Sequence, residues 1–314
     1  MKAKLLVILG TTSTGKTDLA LSLAKKFNGE LISADSRQLY KFLDIGTGKL
    51  PASYESLEKG DGYWQIDNIR IWMYDVLSPD KRYNLYDYIN EASERIRDVS
   101  KRGKLPIIIG GTGLYLRSLL EGVSNYGITA DSGLRAELED LDIQDIKKRI
   151  SPSVLSHLNN SEINNKRRLI RLVELSLAET QKSGESFTGL AGEYDFLKVG
   201  LETDRTILRE RISRRLISRI NQGMIEESRD LLDKNILSYE RMEELGLEYR
   251  YLAKFIKGEI KSVEKFLNLL TVKISQYAKR QETWFKKDTD VNWFDISDND
   301  FTQKVEKRVL DWYN

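Results

Sequence analysis

The stretch that decides the fold is Gly10-Thr11-Thr12-Ser13-Thr14-Gly15-Lys16-Thr17, a full match to the pattern G-x-x-x-x-G-K-[ST]. It follows an apolar run at residues 4–10 and opens a segment, residues 17–27, whose leucines have helical spacing. Strand, glycine-rich loop and helix in this order predict a P-loop, in which backbone N–H groups and a lysine hold a phosphate. We therefore expect residues 10–17 to bind a phosphate or diphosphate. We also expect Mg²⁺ as a cofactor, with the Thr17 hydroxyl as one of its ligands.

Further apolar runs predict strands at residues 31–34, 105–109 and 196–201. Helical patterns follow the last two, at residues 114–120 and in the run Leu208, Ile212, Leu216 and Ile220. Strands that alternate with helices predict an α/β fold with a doubly wound parallel sheet that contains the P-loop. Residues 121–195 show helical periodicity and few strand signals. We expect them to form a helical insertion domain in a catalytic core made of residues 1–120 and 196–314.

Composition excludes several chemistries. The 314 residues include no Cys and a single His, so a disulfide framework, a thiolate nucleophile and a zinc site with several Cys or His ligands are ruled out. His157 has no partner evident in the sequence and is predicted to be a surface or capping residue. No stretch approaches the ~18 apolar residues of a membrane span. We expect a cytoplasmic protein with no membrane partner, whose catalysis uses carboxylates, Lys, Arg, hydroxyls and backbone amides.

The charges are balanced in number but not in position. There are 50 Lys and Arg against 48 Asp and Glu, a net charge of +2. Acidic residues dominate between positions 131 and 145, whereas basic residues cluster at positions 166–171 and again at 205–219. Basic patches of this kind favour a polyanionic partner.

Two more motifs follow predicted strands. Asp35-Ser36-Arg37-Gln38-Leu39-Tyr40 lies at the carboxyl end of the second strand, where ligands bind in doubly wound sheets. Asp35 could there serve as a Mg²⁺ partner or a general base, or could merely cap the next segment. The motif Gly110-Gly111-Thr112-Gly113-Leu114-Tyr115 lies at the same edge and fits either a close approach to a ligand or a simple tight turn.

An arginine stripe accompanies the last helical pattern. Arg211, Arg215 and Arg219 are spaced four residues apart and so share one helix face. Beside a P-loop, this stripe could neutralise a leaving diphosphate, although a solvated basic face would have the same spacing.

Together these elements resemble the bacterial tRNA dimethylallyltransferases over essentially the whole chain. The P-loop, the Asp35 motif and the Gly110 motif match that family's sequence, and Asn164, Arg168, Arg171 and Glu174 match its pattern N-x-x-x-R-x-x-R-x-x-E. Arg205, Arg211 and Arg215 fit its arginine pattern, and residues 278–285 resemble its closing signature. Thr11 and Thr14 replace the usual Pro and Ser of the loop, and Ile71 and Trp72 stand where many relatives carry a His pair.

The resemblance implies transfer of a dimethylallyl group from dimethylallyl diphosphate to N6 of the adenosine immediately 3′ of the anticodon. Asp35, Thr112 and Arg215 would be catalytic, and residues 10–17 would hold the diphosphate. A monomer would bind the anticodon stem-loop. The residues implied to contact tRNA are Asp35, Ser36, Arg37, Gln38, Thr112, Arg135, Arg167, Arg168 and Arg171.

Three alternatives remain open at this point. A P-loop alone also fits a small-molecule or nucleotide kinase, but such kinases have no use for a basic insertion. A transferase that modifies free adenine nucleotides meets the same objection. A nucleotide-binding module that binds RNA without chemistry would not need Asp35 at the ligand edge.

Overall fold

The computed structural model describes residues 2–128, 131–179 and 185–314. These form two compact units, one from Met1–Leu120 with Leu190–Asn314 and the other from Glu121–Gly189. The second junction lies at residue 189, not at the expected 195, because the strand that begins at Tyr194 pairs with the N-terminal strand. No described helix is both long and apolar enough to span a bilayer.

The strands of the described residues are β1 Ala3–Gly10, β2 Gly29–Ser33, β3 Leu57–Gly60, β4 Tyr63–Ile66, β5 Ile69–Trp72, β6 Leu105–Gly110, β7 Val123–Tyr126, β8 Glu185–Phe187, β9 Tyr194–Glu202 and β10 Val291–Asp295. The helices are α1 Lys16–Lys26, α2 Leu85–Lys101, α3 Gly113–Glu121, α4 Ser132–Asp140, α5 Ile143–Lys148, α6 Pro152–Ser156, α7 Asn160–Ile163, α8 Lys166–Glu179, α9 Arg205–Asn221, α10 Met224–Asp233, α11 Tyr239–Leu245, α12 Leu247–Ile256, α13 Val263–Phe285 and α14 Phe301–Tyr313.

In the first unit, the described residues form an eight-stranded sheet in the order β10-β9-β1-β6-β2-β5-β4-β3. Pairing is parallel from β10 to β5, and β4 and β3 extend the sheet in antiparallel fashion. The buried face with Leu6, Ile8 and Ile107 packs against α1 and α14. Helices α2 and α13 also pack on the sheet, but their buried side chains lie outside that cluster. The α/β fold with a doubly wound sheet is thus confirmed.

The P-loop follows from how β1 and α1 are joined. The last six residues of β1 are buried, as expected for a strand covered on both faces. Helix α1 begins after Gly15, which has φ +88° and caps the helix without a side chain. A Cβ at Gly10 would overlap the backbone of Leu201 in β9. Both glycines are therefore required by the local geometry, and the N-terminal N–H groups of α1 stay open toward a ligand.

The second unit is mainly helical. Helices α4, α5 and α8 bury one small apolar cluster that includes Leu138, Ile146, Leu169 and Val173. β7 and β8 pair in antiparallel fashion in this unit. That short pair was not expected, because neither segment has an apolar run.

Four strands of the first unit were also not expected from the sequence. β3 has Glu58 and Lys59 at its centre, so it lacks the apolar run that marked the other strands. β4, β5 and β10 have four or five residues each and no buried run as long as that of β1. β10 lies between α13 and α14, in a part of the chain that is otherwise mostly helical.

Candidate active site

Three loops meet at the carboxyl edge of β1, β6 and β2, which are neighbours in the sheet. They are residues 10–17, 34–38 and 110–113. The backbone of Ala34 joins the last two, since its N–H donates to the Ile109 carbonyl at 2.6 Å and its carbonyl accepts from Thr112 N–H at 3.1 Å. The loops line a cavity of about 900 Å³, whose lining residues all belong to the first unit.

The P-loop is held by its own side chains. Thr14 Oγ1 donates to the Thr11 carbonyl at 2.9 Å, and Lys16 Nζ donates to the same oxygen at 2.7 Å. Ser13 has a left-handed φ of +66°, which turns the chain at the loop tip. Thr11 and Thr14 are buried and do not line the cavity, so they support the shape of the loop from behind it.

The lysine of the loop is electrostatically unusual. Burial, and then the nearby positive charge of Arg215, lower the pKa of Lys16 from 10.5 to about 7, and the Asp35 carboxylate opposes this shift in part. Lys16 is thus close enough to Arg215 and Asp35 for both charges to shift its pKa. A site that crowds cations in this way gains most when an anion such as a diphosphate enters.

Helix α9 supplies the arginine stripe, and each arginine has its own partners. Arg211 Nε donates to the Ser13 carbonyl at 2.8 Å. Arg215 Nη2 donates to the Gly48 carbonyl at 3.0 Å, and its Nη1 lies 3.4 Å from Thr12 Oγ1. Burial, followed by the Arg219 charge, lowers the pKa of Arg215. Two of the three arginines therefore border the P-loop, which favours the diphosphate interpretation over a solvated face.

Arg219, the third arginine of the stripe, shapes a neighbouring loop instead. It is buried, donates to the carbonyls of Ile45 and Gly46, and pairs with Glu248 at 3.2 Å. From the other side, the Glu227 carboxylate accepts the backbone N–H groups of Asp44, Ile45 and Gly46 at 2.7 to 3.0 Å. These contacts fix residues 44–49, here called the 44–49 loop, as the wall of the cavity against Arg215.

The Asp35 motif lies opposite the P-loop. Asp35 Oδ1 accepts from Arg37 N–H at 2.9 Å, and Thr112 Oγ1 accepts from Ser36 N–H at 3.1 Å. Because the Thr112 oxygen already accepts, its hydroxyl proton is left to donate to a ligand. Gln38 is buried rather than at the surface: its Oε1 accepts from Ser33 Oγ at 2.8 Å, and its Nε2 lies 3.5 Å from the Gly48 carbonyl.

Trp72 and Asp75 have structural partners. Trp72 is buried, and its Nε1 donates to Glu30 at 2.8 Å. Asp75 forms an ion pair with the fully buried Lys49 and accepts from Trp64 Nε1 at 2.7 Å. This hydrogen bond links β5 to β2. Trp72 therefore has a structural role at one of the two positions where the family resemblance would place a His.

The arginines of the second unit differ in how they are engaged. Arg135 and Arg171 both pair with the buried Glu174, at 2.6 and 3.1 Å. Burial would raise the pKa of Glu174, but hydrogen bonds from these two arginines outweigh it and lower that pKa. Arg168 pairs with Glu162 at 2.9 Å, and Arg167 is exposed. Arg135 and Arg171 therefore hold this unit together in addition to any role toward RNA.

His157 is exposed at the end of α6, where Nδ1 lies 2.6 Å from the Ser153 carbonyl. The prediction of a surface or capping residue is confirmed.

The cavity thus collects most of the residues singled out in the sequence. Those that line it are Thr12, Ser13, Gly15, Lys16, Thr17, Asp35, Ser36, Arg37, Gln38, Gly110, Gly111, Thr112, Arg211, Arg215 and Arg219. Gly10, Thr11 and Thr14 shape the loop from behind it. Arg135, Arg167, Arg168 and Arg171 lie in the other unit.

Two side chains that hold the loops around the cavity were not predicted from the sequence. Glu227 reaches across more than 180 residues to the 44–49 loop, and Gln281 of α13 reaches across 269 residues to the P-loop. Glu227 has no local signal. Gln281 falls within the closing signature at residues 278–285, but nothing in its spacing marks it apart from its neighbours.

The donor set at the P-loop suits Mg²⁺. Within residues 2–128, 131–179 and 185–314, no three or more Asp, Glu and His side chains group so as to hold a metal by themselves. Mg²⁺ commonly uses one or two protein oxygens together with substrate phosphate and water. Thr17 and Asp35 both line the cavity with oxygen donors, which fits that mode of binding.

Sequence comparison places this geometry among known proteins. The family model described as IPP transferase matches residues 38–288. A protein of Treponema denticola named tRNA dimethylallyltransferase 2 is 40% identical over 295 residues, which cover 91% of this chain and 94% of that protein.

Solved structures give the same result. The full-length tRNA isopentenylpyrophosphate transferase from Bacillus halodurans is 30% identical with a TM-score of 0.69, covering 98% of this chain and 94% of that one. A eukaryotic dimethylallyltransferase described as acting on tRNA superposes with a TM-score of 0.73 and covers 98% and 78%. At 23% identity, the latter likeness supports the fold alone.

Proposed function

Because this chain belongs to the IPP transferase family, we propose that it is a tRNA dimethylallyltransferase. It transfers the dimethylallyl group of dimethylallyl diphosphate to N6 of the adenosine immediately 3′ of the anticodon. The C1–O bond to the diphosphate breaks, and the diphosphate leaves with the electron pair. The N6 lone pair forms the new C–N bond, and N6 loses one proton.

One observation carries this proposal: a P-loop lysine, an arginine and a carboxylate, Lys16, Arg215 and Asp35, share one cavity and sense one another's charge. The two cations suit a diphosphate leaving group. The carboxylate suits removal of a proton from the incoming amine.

The leaving group lies against residues 10–17. Lys16, the N–H groups at the start of α1 and Arg215 would spread the charge that develops on the diphosphate as the allylic C–O bond breaks. Thr17 would hold Mg²⁺, which when bound supplies further positive charge to stabilise the departing diphosphate.

The acceptor adenine lies against Asp35 and Thr112. Its exocyclic amine is a poor nucleophile because the lone pair is delocalised, so proton removal by Asp35 during attack lowers the barrier. The free hydroxyl proton of Thr112 can donate to a ring nitrogen beside N6. Ser36, Arg37 and Gln38 shape the same side of the cavity.

The RNA lies against basic side chains. We assign Arg167 and Arg168 to phosphate contacts with the anticodon stem, and we assign Arg135 and Arg171 to the same surface through their pairing with Glu174. A target base in a stacked loop must be extruded to reach a cavity of this kind. Since one chain supplies every lining residue, we propose a monomer as the working unit.

The test is incubation of the purified protein with unmodified tRNA and labelled dimethylallyl diphosphate, followed by nucleoside analysis. We expect labelled N6-dimethylallyladenosine. Consumption of ATP with a small hydroxylated acceptor, and no label in tRNA, would instead support a kinase.

A further inference from the structure

Gln281 lies between two loops that the proposed reaction uses for different substrates. It is buried in α13, and its Oε1 accepts the Thr12 N–H of the P-loop at 2.9 Å. Its Nε2 donates to the Gly111 carbonyl at 2.9 Å. A backbone N–H can only donate and a carbonyl can only accept, so the two partners fix the orientation of the amide.

The contact is built from both sides. Gly111 has no side chain, and a Cβ there would overlap Gln281 Nε2. Thr112, the next residue, accepts from Ser36 N–H, and Ser36 follows Asp35. A continuous hydrogen-bonded path therefore runs from the diphosphate loop through Gln281 and the Gly110–Gly113 turn to the residue beside the proposed base.

We propose that Gln281 is a positioning residue that sets the separation between the diphosphate loop and the acceptor loop. This inference rests on the proposed function, in which the P-loop holds the electrophile and the Thr112 loop holds the adenine. Prenyl transfer needs C1 and N6 in line at close range, and a misplacement of about 1 Å can cost ~10²-fold in rate. Gln281 thus acts on kcat through geometry and touches neither reacting atom.

Three variants separate this role from simple support of the fold. Gln281→Ala removes both hydrogen bonds. Gln281→Asn keeps the amide but is one methylene too short to reach both loops. Gln281→Glu keeps the shape and the acceptor for Thr12 N–H, but when ionised it sets an oxygen against the Gly111 carbonyl with no proton between them.

The Gln281→Glu variant provides a pH signature. When protonated, its new carboxyl group would accept from Thr12 N–H and donate its O–H to the Gly111 carbonyl, which reproduces both bonds of the amide. We expect the ratio of Gln281→Glu activity to wild-type activity to rise at least about threefold between pH 8 and pH 6. Dividing by the wild type removes the titration of the remaining active-site groups.

The experiment measures single-turnover transfer from dimethylallyl diphosphate to unmodified tRNA for the wild type, the three variants and Gln303→Ala as an exposed helical control. We expect Gln281→Ala and Gln281→Asn to lower the single-turnover rate about 10- to 100-fold, with tRNA and diphosphate affinities within about threefold of the wild type. Gln303→Ala should match the wild type.

A loss confined to tRNA affinity would overturn the proposal, because it would place Gln281 in contact with RNA. An unchanged rate, or a flat activity ratio for Gln281→Glu, would also overturn it.

Amide hydrogen exchange gives a readout without turnover: Gln281→Ala should exchange faster in residues 10–17 and in residues 110–113 together. If the wild type fails to transfer the prenyl group, the proposed function fails, whereas unchanged exchange in both segments refutes the positioning role itself.

Discussion

The guanidinium of Arg215 fills the space that a side chain at Gly48 would need. Arg215 Nη2 donates to the Gly48 carbonyl at 3.0 Å, and a Cβ on Gly48 would overlap the same nitrogen. Gly48 has φ +65°, and its loop is fixed by Glu227 and Arg219. The absence of a side chain at position 48 therefore determines where Arg215 points.

Gly48→Ala should displace Arg215 and weaken use of the diphosphate substrate. We expect kcat/KM for dimethylallyl diphosphate to fall about 10- to 100-fold, because the displaced guanidinium would no longer be held in place to stabilise the departing diphosphate. Gly103→Ala is the matched control, since Gly103 has φ +71° but nothing lies within 4 Å of its added Cβ. Both variants carry similar backbone strain, so equal steady-state kinetics in the two would refute the role of the overlap.

Asp35→Asn should separate chemistry from binding. Asn keeps an oxygen that can accept from Arg37 N–H but cannot take a proton from the adenine amine. We expect the rate of transfer to fall about 10²- to 10⁴-fold, with tRNA affinity nearly unchanged. Single-turnover kinetics and filter binding measure the two quantities, with Asp298→Asn at the surface as control. A variant with wild-type turnover would exclude Asp35 as the base.

Diphosphate binding should take up a proton through Lys16. With a pKa of about 7, Lys16 is mostly neutral above that pH in the free protein, and a bound diphosphate would raise its pKa. Uptake should therefore be largest near pH 8 and vanish below about pH 6, where Lys16 is already protonated. Calorimetry in buffers of different ionisation enthalpy measures it.

Lys16→Arg is the control for that measurement, because arginine stays charged in both states. The variant should lose the proton uptake due to residue 16. Only the proton exchange due to titration of the diphosphate itself should remain. Identical proton uptake in the two proteins would contradict the assignment to Lys16.

Arg167 and Arg171 should respond differently to alanine substitution. Arg167→Ala should make the negative slope of log affinity for tRNA against log salt shallower by about 0.7 to 0.9 and leave the melting temperature unchanged. Arg171→Ala should also lower the melting temperature, because it removes one of two cations that pair with the buried Glu174. A salt slope equal to that of the wild type in Arg167→Ala would exclude a phosphate contact there.

The sequence predicted those parts of the fold and site that have a local signal. Residues 10–17 carry their own motif, the buried runs of β1 and β6 are apolar along their length, and Lys198 alone interrupts the apolar buried run of β9. Asp35 and Thr112 were placed correctly at one edge, because the carboxyl ends of parallel strands share it.

The rest depends on contacts between distant segments. The 44–49 loop owes its shape to Glu227 and Arg219, which lie more than 170 residues away and look like ordinary charged residues of a helix. Gln38 has no neighbour in sequence that indicates burial, yet its amide is buried against Ser33. β3 lacks an apolar run because it pairs with β4 alone at the end of the sheet order, so its polar residues remain exposed.

The most direct test of the central claim is to map the product on an anticodon stem-loop that bears several adenosines. The protein is incubated with this RNA, dimethylallyl diphosphate, adenosine monophosphate and ATP together, and nuclease fragments are analysed by mass spectrometry. We predict one dimethylallyl group on the adenosine immediately 3′ of the anticodon and none on the free nucleotides. Prenylated free nucleotide, or ATP consumption without prenylated RNA, would contradict the account.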